Sequence, residues 1–220
     1  MGIGYNSKIV TDGLVLALDA ANLKSYPGSG TTWYDLSGNG NNGTLVNGVV
    51  YDSANSGNMV FGGVNDFVDC GKTASQLGIY DSDYTLSAFF RIPNLSGDKM
   101  VFGTSTTAVR QGMHHGVRNN LFYFAHYSAD MNAGTAVANT WYYGTWVWSS
   151  TAPTARMYIN GNLIQQSASL ASFLGTTNIL IGSSWTRFSG NIANAMIYNR
   201  ALPSAEIKQN FNALRGRYGI

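Results

Sequence analysis

The chain has 220 residues, of which 11% are charged and 13% aromatic, with a formal net charge of +2. Low charge with many aromatics sets it apart from disordered chains, and the length fits one large β domain. No Lys/Arg run of the nucleic-acid-binding kind exists, and the single cysteine, Cys70, excludes an internal disulfide framework and a cysteine-rich zinc site.

Residues 1–11 show no period and read as an N-terminal arm, leaving 12–220 as one domain. The arm lacks the basic and apolar regions of a secretory signal, and Asn6 stands where a myristoylation pattern wants Ser or Thr. No window approaches the ~18 apolar residues of a membrane span. The expectation is a chain made and used without classical secretion.

Leu14, Leu16 and Leu18 begin the first buried strand, which ends at Asp19. Residues 22–43 are rich in Gly, Ser, Asn and Thr and predict a long surface loop, pinned by Trp33 and Tyr34. Strands are then predicted at 44–51, 58–61, 66–70, 83–92, 99–104, 113–118, 121–127, 141–149, 155–160, 163–168, 178–183 and 190–199. In the clearest, Tyr84, Leu86, Ala88, Phe90 and Ile92 share one face, and Thr85, Ser87, Phe89 and Arg91 the other. Asn160-Gly161 predicts a type I′ hairpin, and Gly116 to Asn120 offers a second. A helix is expected from Pro203 or Ser204 to Gly216, with Ile207, Phe211 and Leu214 on its apolar face. Many short strands without intervening helices argue for an all-β sandwich of two sheets.

Catalytic signals are weak. Gly38 to Gly43 fits G-x-G-x-x-G, but the strand-like Thr44-Leu45-Val46 follows where a dinucleotide site needs a helix. Glycoside hydrolysis usually needs two carboxyl groups, yet the only glutamate, Glu206, lies on the expected terminal helix. His114 and His115 are adjacent on a strand and point to opposite faces; His126 can meet one of them across the hairpin.

Two binding features stand out. The loop from Asp35 to Asn42 carries hard oxygen donors, among them Asp35, Asn39 and Asn41, and is a candidate calcium loop, with a purely hydrogen-bonded loop as the alternative. Exposed aromatic rings beside Arg, Asp and Asn suit sugars, because a ring stacks on the apolar face of a pyranose while polar groups take its hydroxyls. Candidates are Trp185 and Arg187 in the loop after Ile181, with Arg110, His114, Tyr127 and Asp130 around the central hairpin. Trp141, Trp146 and Trp148 sit in strand patterns and are expected in the core.

Several stretches resemble one family. They are Gly13 to Asp19, Trp33 to Leu45, Phe61-Gly62-Gly63-Val64-Asn65-Asp66-Phe67-Val68, Tyr84 to Phe90, Tyr158-Ile159-Asn160-Gly161, and Gly190 to Leu202. Together they resemble the laminin-G-like branch of the concanavalin A-like lectin/glucanase superfamily. The resemblance implies a jelly-roll of two antiparallel sheets, frequent glycan binding and frequent structural calcium. It adds Asn194 to the metal candidates, at a position where the family often has Asp. The glucanase E-x-D-x-E strand is absent. The ending Asn210 to Ile220 resembles virion proteins of tailed phages.

The resulting expectation is a non-enzymatic, lectin-like virion protein. It would decorate a phage capsid or tail assembled in the host cytoplasm, contact surface glycans and possess a capacity for self-association. The alternatives are a particle-stabilising protein without glycan affinity, and a glycoside-acting enzyme.

Overall fold

The computed structural model describes residues 8–128 and 130–220. Two eight-stranded antiparallel sheets face one another, and among the described residues one α-helix covers the back of one of them. In chain order the strands are β1 (Leu14–Asp19), β2 (Thr32–Trp33), β3 (Gly43–Val46), β4 (Val50–Asp52), β5 (Asn58–Gly62), β6 (Phe67–Thr73), β7 (Tyr84–Arg91) and β8 (Asp98–Gly103). They continue as β9 (His114–Arg118), β10 (Leu121–Ala125), β11 (Asp130–Thr135), β12 (Trp141–Trp148), β13 (Ala155–Ile159), β14 (Asn162–Ser167), β15 (Asn178–Ile181) and β16 (Ser189–Tyr198). The helix, α1, is Ser204–Leu214.

The helix-backed sheet runs β14-β13-β12-β7-β16-β5-β4, with β1 also paired to β16. The other sheet runs β11-β10-β9-β8-β15-β6-β3-β2. This is the two-sheet sandwich that the strand rhythm predicts, and it agrees with the jelly-roll that the family resemblance implies.

The period of two sorts side chains onto these layers. Leu16, Phe61, Leu86, Phe90, Phe102, Phe124 and Trp146 fill the space between the sheets, as the alternation along β7 requires. The opposite face of β7 is buried as well. Phe89 joins Tyr143, Tyr198, Ile207, Phe211 and Leu214 under the helix. Burying each of the last three stabilises by about 1.5–3 kcal/mol. Glu206 lies in the first turn of α1, where a negative charge complements the helix dipole, and holds Arg200 at 2.7 Å.

Residues 1–7 of the expected arm lie outside the described residues. Residues 8–11 pack on the helix side: the Val10 amide donates to Asn210 Oδ1 at 2.7 Å, and the Tyr198 hydroxyl donates to the Val10 carbonyl at 2.9 Å.

Several expectations need correction. The strand predicted at 44–51 is two strands in different sheets, because Asn47 and Gly48 take positive φ (56° and 92°) and turn the chain across the sandwich. The strand predicted to reach 127 ends at Ala125, and neither β2 nor β11 was expected. Trp33 is fully buried and anchors the long loop, whereas Tyr34 is 46% exposed and does not. Both expected hairpins are present, with positive φ at Asn160 and Gly161 and at Asn119 and Asn120. Trp141, Trp146 and Trp148 are buried.

Candidate functional site

The β9–β10 hairpin sets the parity of the site. Val117, Phe122 and Phe124 point between the sheets. Residues of opposite parity, His114, Gly116 and Arg118 on β9 and Tyr123 and Ala125 on β10, therefore face outward. Asp130 pairs with Ala125 across β11 and shares that face. The turn between β10 and β11 adds Tyr127 and Ser128, both at positive φ (55° and 59°). Non-glycine residues held there carry strain that packing must offset, a feature concentrated at functional sites.

The last wall comes from the loop after β15. It is closed by a bridge between Ser183 and Arg187 and by the Phe188 amide donating to the Gly182 carbonyl at 3.0 Å. It carries Trp185 over the sheet. The Trp185 ring stands edge-on to His114, centroids 3.9 Å apart, and to Tyr127, 5.8 Å away. Trp185 remains 38% exposed, although its neighbour His114 is buried.

Together His114, Arg118, Tyr123, Tyr127, Ser128, Asp130 and Trp185 line a cleft of about 280 Å³. Two other hollows, of about 40 and 470 Å³, border the helix, and neither is lined by an aromatic ring.

Arg118 is fixed at the floor of the cleft. Its Nε donates to Asp98 Oδ1 at 2.7 Å and its Nη2 to Asp98 Oδ2 at 3.1 Å, while Nη1 donates to the Tyr123 hydroxyl. The guanidinium carbon lies 4.0 Å from the centroid of the Tyr123 ring and 5.3 Å from that of Trp185. Burial alone would lower the Arg118 pKa; the Asp98 carboxylate, with Tyr123 and Asp130, reverses this and raises it. Burial, followed by the Asp130 carboxylate, pushes the Tyr123 phenol above its ordinary value. His114 is lowered to about 4, by burial and then by the Arg118 charge, and so is neutral at pH 7.

Four of the six expected sugar-contact residues thus converge: His114, Tyr127, Asp130 and Trp185. Arg110 and Arg187 do not line the cleft. The Arg110 guanidinium donates to the Ser172 carbonyl (3.1 Å) and stands 3.6 Å from Asp81. Arg187 reaches back to Ser183 Oγ and stacks over Phe67, bracing the Trp185 loop from behind. Sequence reasoning missed Arg118, Tyr123 and Ser128. Hairpin parity could have found two of them, since Arg118 lies four residues beyond His114 and Tyr123 faces Gly116.

His115, on the inward face, belongs to a buried network instead. The Ala171 carbonyl can only accept, so His126 Nδ1, 2.6 Å away, carries a proton. His126 Nε2 therefore accepts from the Tyr84 hydroxyl at 2.5 Å, and that oxygen in turn accepts from His115 Nε2 at 2.9 Å.

The residues present do not fit a calcium ion in the 35–42 loop. Asp35 Oδ1 accepts from the amides of Ala17 (2.8 Å) and Ser37 (2.9 Å), and Oδ2 from the Ser37 hydroxyl (2.6 Å) and the Asn41 amide (3.0 Å). Asn39 and Asn41 turn their amide nitrogens to the carbonyls of Leu14 and Val15. Asn194 Oδ1 accepts from the Phe89 amide. Among the described residues no three His, Cys, Asp or Glu side chains cluster as metal ligands. Asp35→Ala is expected to cost about 2–4 kcal/mol in urea unfolding, through loss of these bonds. Wild-type Tm should be unmoved by calcium or chelator; a rise of several degrees with calcium would show a bound ion.

The fold agrees with the comparisons. A family model described as the concanavalin A-like lectin/glucanases superfamily (Laminin_G_3) matches residues 61–208, and the chain belongs to that family. No curated protein matches the sequence. Among solved structures, a sialidase from Trypanosoma rangeli in complex with the inhibitor DANA superposes with a TM-score of 0.69 at 18% identity, over 94% of this chain and 35% of the sialidase. Domain 4 of AbnA, a GH43 extracellular arabinanase from Geobacillus stearothermophilus, in complex with arabinotriose, gives 0.68 at 16% identity, over 90% of this chain and 97% of that one. The binding domain of botulinum neurotoxin DC in complex with SialylT gives 0.67 at 15% identity, over 93% and 52%. At these identities the likeness shows the fold. The chain spans about a third of the length of the sialidases it matches.

Proposed function

We propose that this chain is a non-catalytic carbohydrate-binding module whose ligand occupies the cleft on the outer face of β9, β10 and β11. One observation carries the reading. Trp185 is a 38% exposed indole held over a polar cleft by a braced loop, ready to stack on a sugar ring while Ser128 and Asp130 meet its hydroxyls. The arabinotriose and SialylT complexes of similar domains support the ligand class. The non-catalytic half of the reading is supported by Asp98, whose two oxygens are both engaged by Arg118. The only glutamate is paired with Arg200 beside the helix.

The test is a glycan array followed by Trp185→Ala. The variant should fold, because the indole covers the surface rather than filling the core. It should lose glycan affinity by at least about tenfold. An array without any bound glycan would sink the reading.

The setting we propose is the surface of a phage particle, where such a module would present its cleft to a bacterial surface. This rests on the likeness of residues 210–220 to virion proteins. Imaging of particles with a labelled chain tests it, and particles free of label would remove it.

A further inference from the structure

The charges around the cleft bear on which saccharides it takes, provided that the cleft is the glycan site just proposed. The cleft has one cation, Arg118, and its fork is occupied. Nε and Nη2 are bidentate on Asp98, and Nη1 is on the Tyr123 hydroxyl. Each of its three nitrogens is thus already engaged and Asp98 balances the charge, so Arg118 presents a stacked plane with no unengaged nitrogen for a carboxylate. His114 adds no charge at neutral pH, for the reason given above.

The remaining charge is Asp130. It is exposed, lines the cleft, and forms no ion pair among the described residues. With Arg118 and Asp98 cancelling, the cleft is left with the negative charge of Asp130. Its two oxygens are acceptors only, which suits hydroxyl donors of a sugar and opposes another carboxylate.

We propose that the cleft selects uncharged, hydroxyl-rich saccharides and discriminates against sugars bearing a carboxylate, with Asp130 as the residue that sets this preference. Trp185 supplies stacking area that is indifferent to the charge of the sugar, so the discrimination rests on the polar rim. The ligand class is closer to a neutral oligosaccharide than to a sialylated or uronic one, even though similar folds are found with both kinds of ligand.

The experiment uses an array of matched pairs, each a neutral oligosaccharide and its sialylated or uronate counterpart, read with wild type, Asp130→Asn and Trp185→Ala. In wild type each carboxylated member should bind at least about tenfold more weakly than its neutral partner at low salt. The gap should narrow as salt rises, because screening weakens charge repulsion at an exposed site. Asp130→Asn keeps the shape of the side chain and removes its charge, and should shrink the gap to about twofold.

Carboxylated members bound as tightly as their neutral partners, in a manner still abolished by Trp185→Ala, would overturn the selectivity and leave the glycan site standing. An unchanged gap in Asp130→Asn would remove Asp130 as its cause. Absence of binding to every pair would remove the site itself, and the selectivity with it.

Discussion

Lowering the pH from 7 to 5 is expected to destabilise this domain well before its carboxylates protonate. All three histidines are buried and held neutral. His126 is lowered to about 4, mainly by burial, and its ring is complete as the neutral form: Nδ1–H on the Ala171 carbonyl, Nε2 on the Tyr84 hydroxyl. Burial pushes His115 well below its ordinary value, and the neighbouring His126 adds to this. His114 is lowered to about 4. In the unfolded chain each histidine binds a proton near pH 6.5. Between pH 6.5 and 4 the unfolded state therefore holds more protons than the folded one, so stability is full above 6.5 and declines as pH falls through this window. His126 alone accounts for a loss of about 3 kcal/mol by pH 4. His114 contributes less, because its ring borders the open cleft. Against a total stability of about 5–15 kcal/mol this is a large fraction. Urea unfolding midpoints at pH 7, 6 and 5 would check it, since unfolded Asp and Glu are still largely ionised there. A midpoint flat from pH 7 to 5 would contradict it, and His126→Gln should flatten the slope.

The buried histidines also show what the sequence carries and what it does not. Adjacent strand residues must point to opposite faces, so the separation of His114 from His115 follows from the chain alone. The hairpin also lets His126 meet one of the two, and the structure shows that it is the inward His115. The identity of the third member does not follow from the chain alone. Tyr84 comes from the opposite sheet, and its approach depends on how the two sheets face each other. The same boundary runs through the cleft. His114, Tyr127, Asp130 and Trp185 were legible as polar or aromatic residues near a hairpin and a loop. Arg110 and Arg187 have the same chemistry and similar positions, yet their guanidinium groups brace loops. Only three-dimensional contacts with Ser172 and Ser183 reveal this. The 35–42 loop is ambiguous in another way. Oxygen-rich composition suits calcium and hydrogen-bonded turns alike, and the choice lies in Asp35 meeting the Ala17 amide from another strand. The strand β11 escaped because Asp130 to Thr135 holds Asn132, Ala133 and Gly134, a composition that reads as loop.

Adding one methyl group at Gly116 is expected to cost more than any surface change in the domain. Gly116 lies on β9 opposite Met100, where the β8 register shifts so that Val101 and Phe102 both enter the core. A Cβ at this position would stand 2.2 Å from the Lys99 carbonyl oxygen, 2.8 Å from Met100 Cα and 2.9 Å from the Val101 nitrogen. All three are backbone atoms, so no rotamer change relieves the overlap. The β8–β9 pair must part, and its ladder bonds go with it. The expected loss for Gly116→Ala exceeds about 3 kcal/mol, at the upper end of overpacking effects. Gly216→Ala is the matched control, because nothing lies within 4 Å of its added Cβ. Gly103→Ala separates stability from function. There the new Cβ would meet the Ser183 carbonyl oxygen at 2.2 Å and Ser184 Cβ at 2.7 Å. Those atoms belong to the loop that carries Trp185, which can move outward at less cost than a sheet can open. Gly103→Ala should therefore fold with a smaller loss than Gly116→Ala, yet bind glycan as poorly as Trp185→Ala. Equal Tm values for the two glycine variants, or full glycan affinity in Gly103→Ala, would show that the loop does not depend on this close approach.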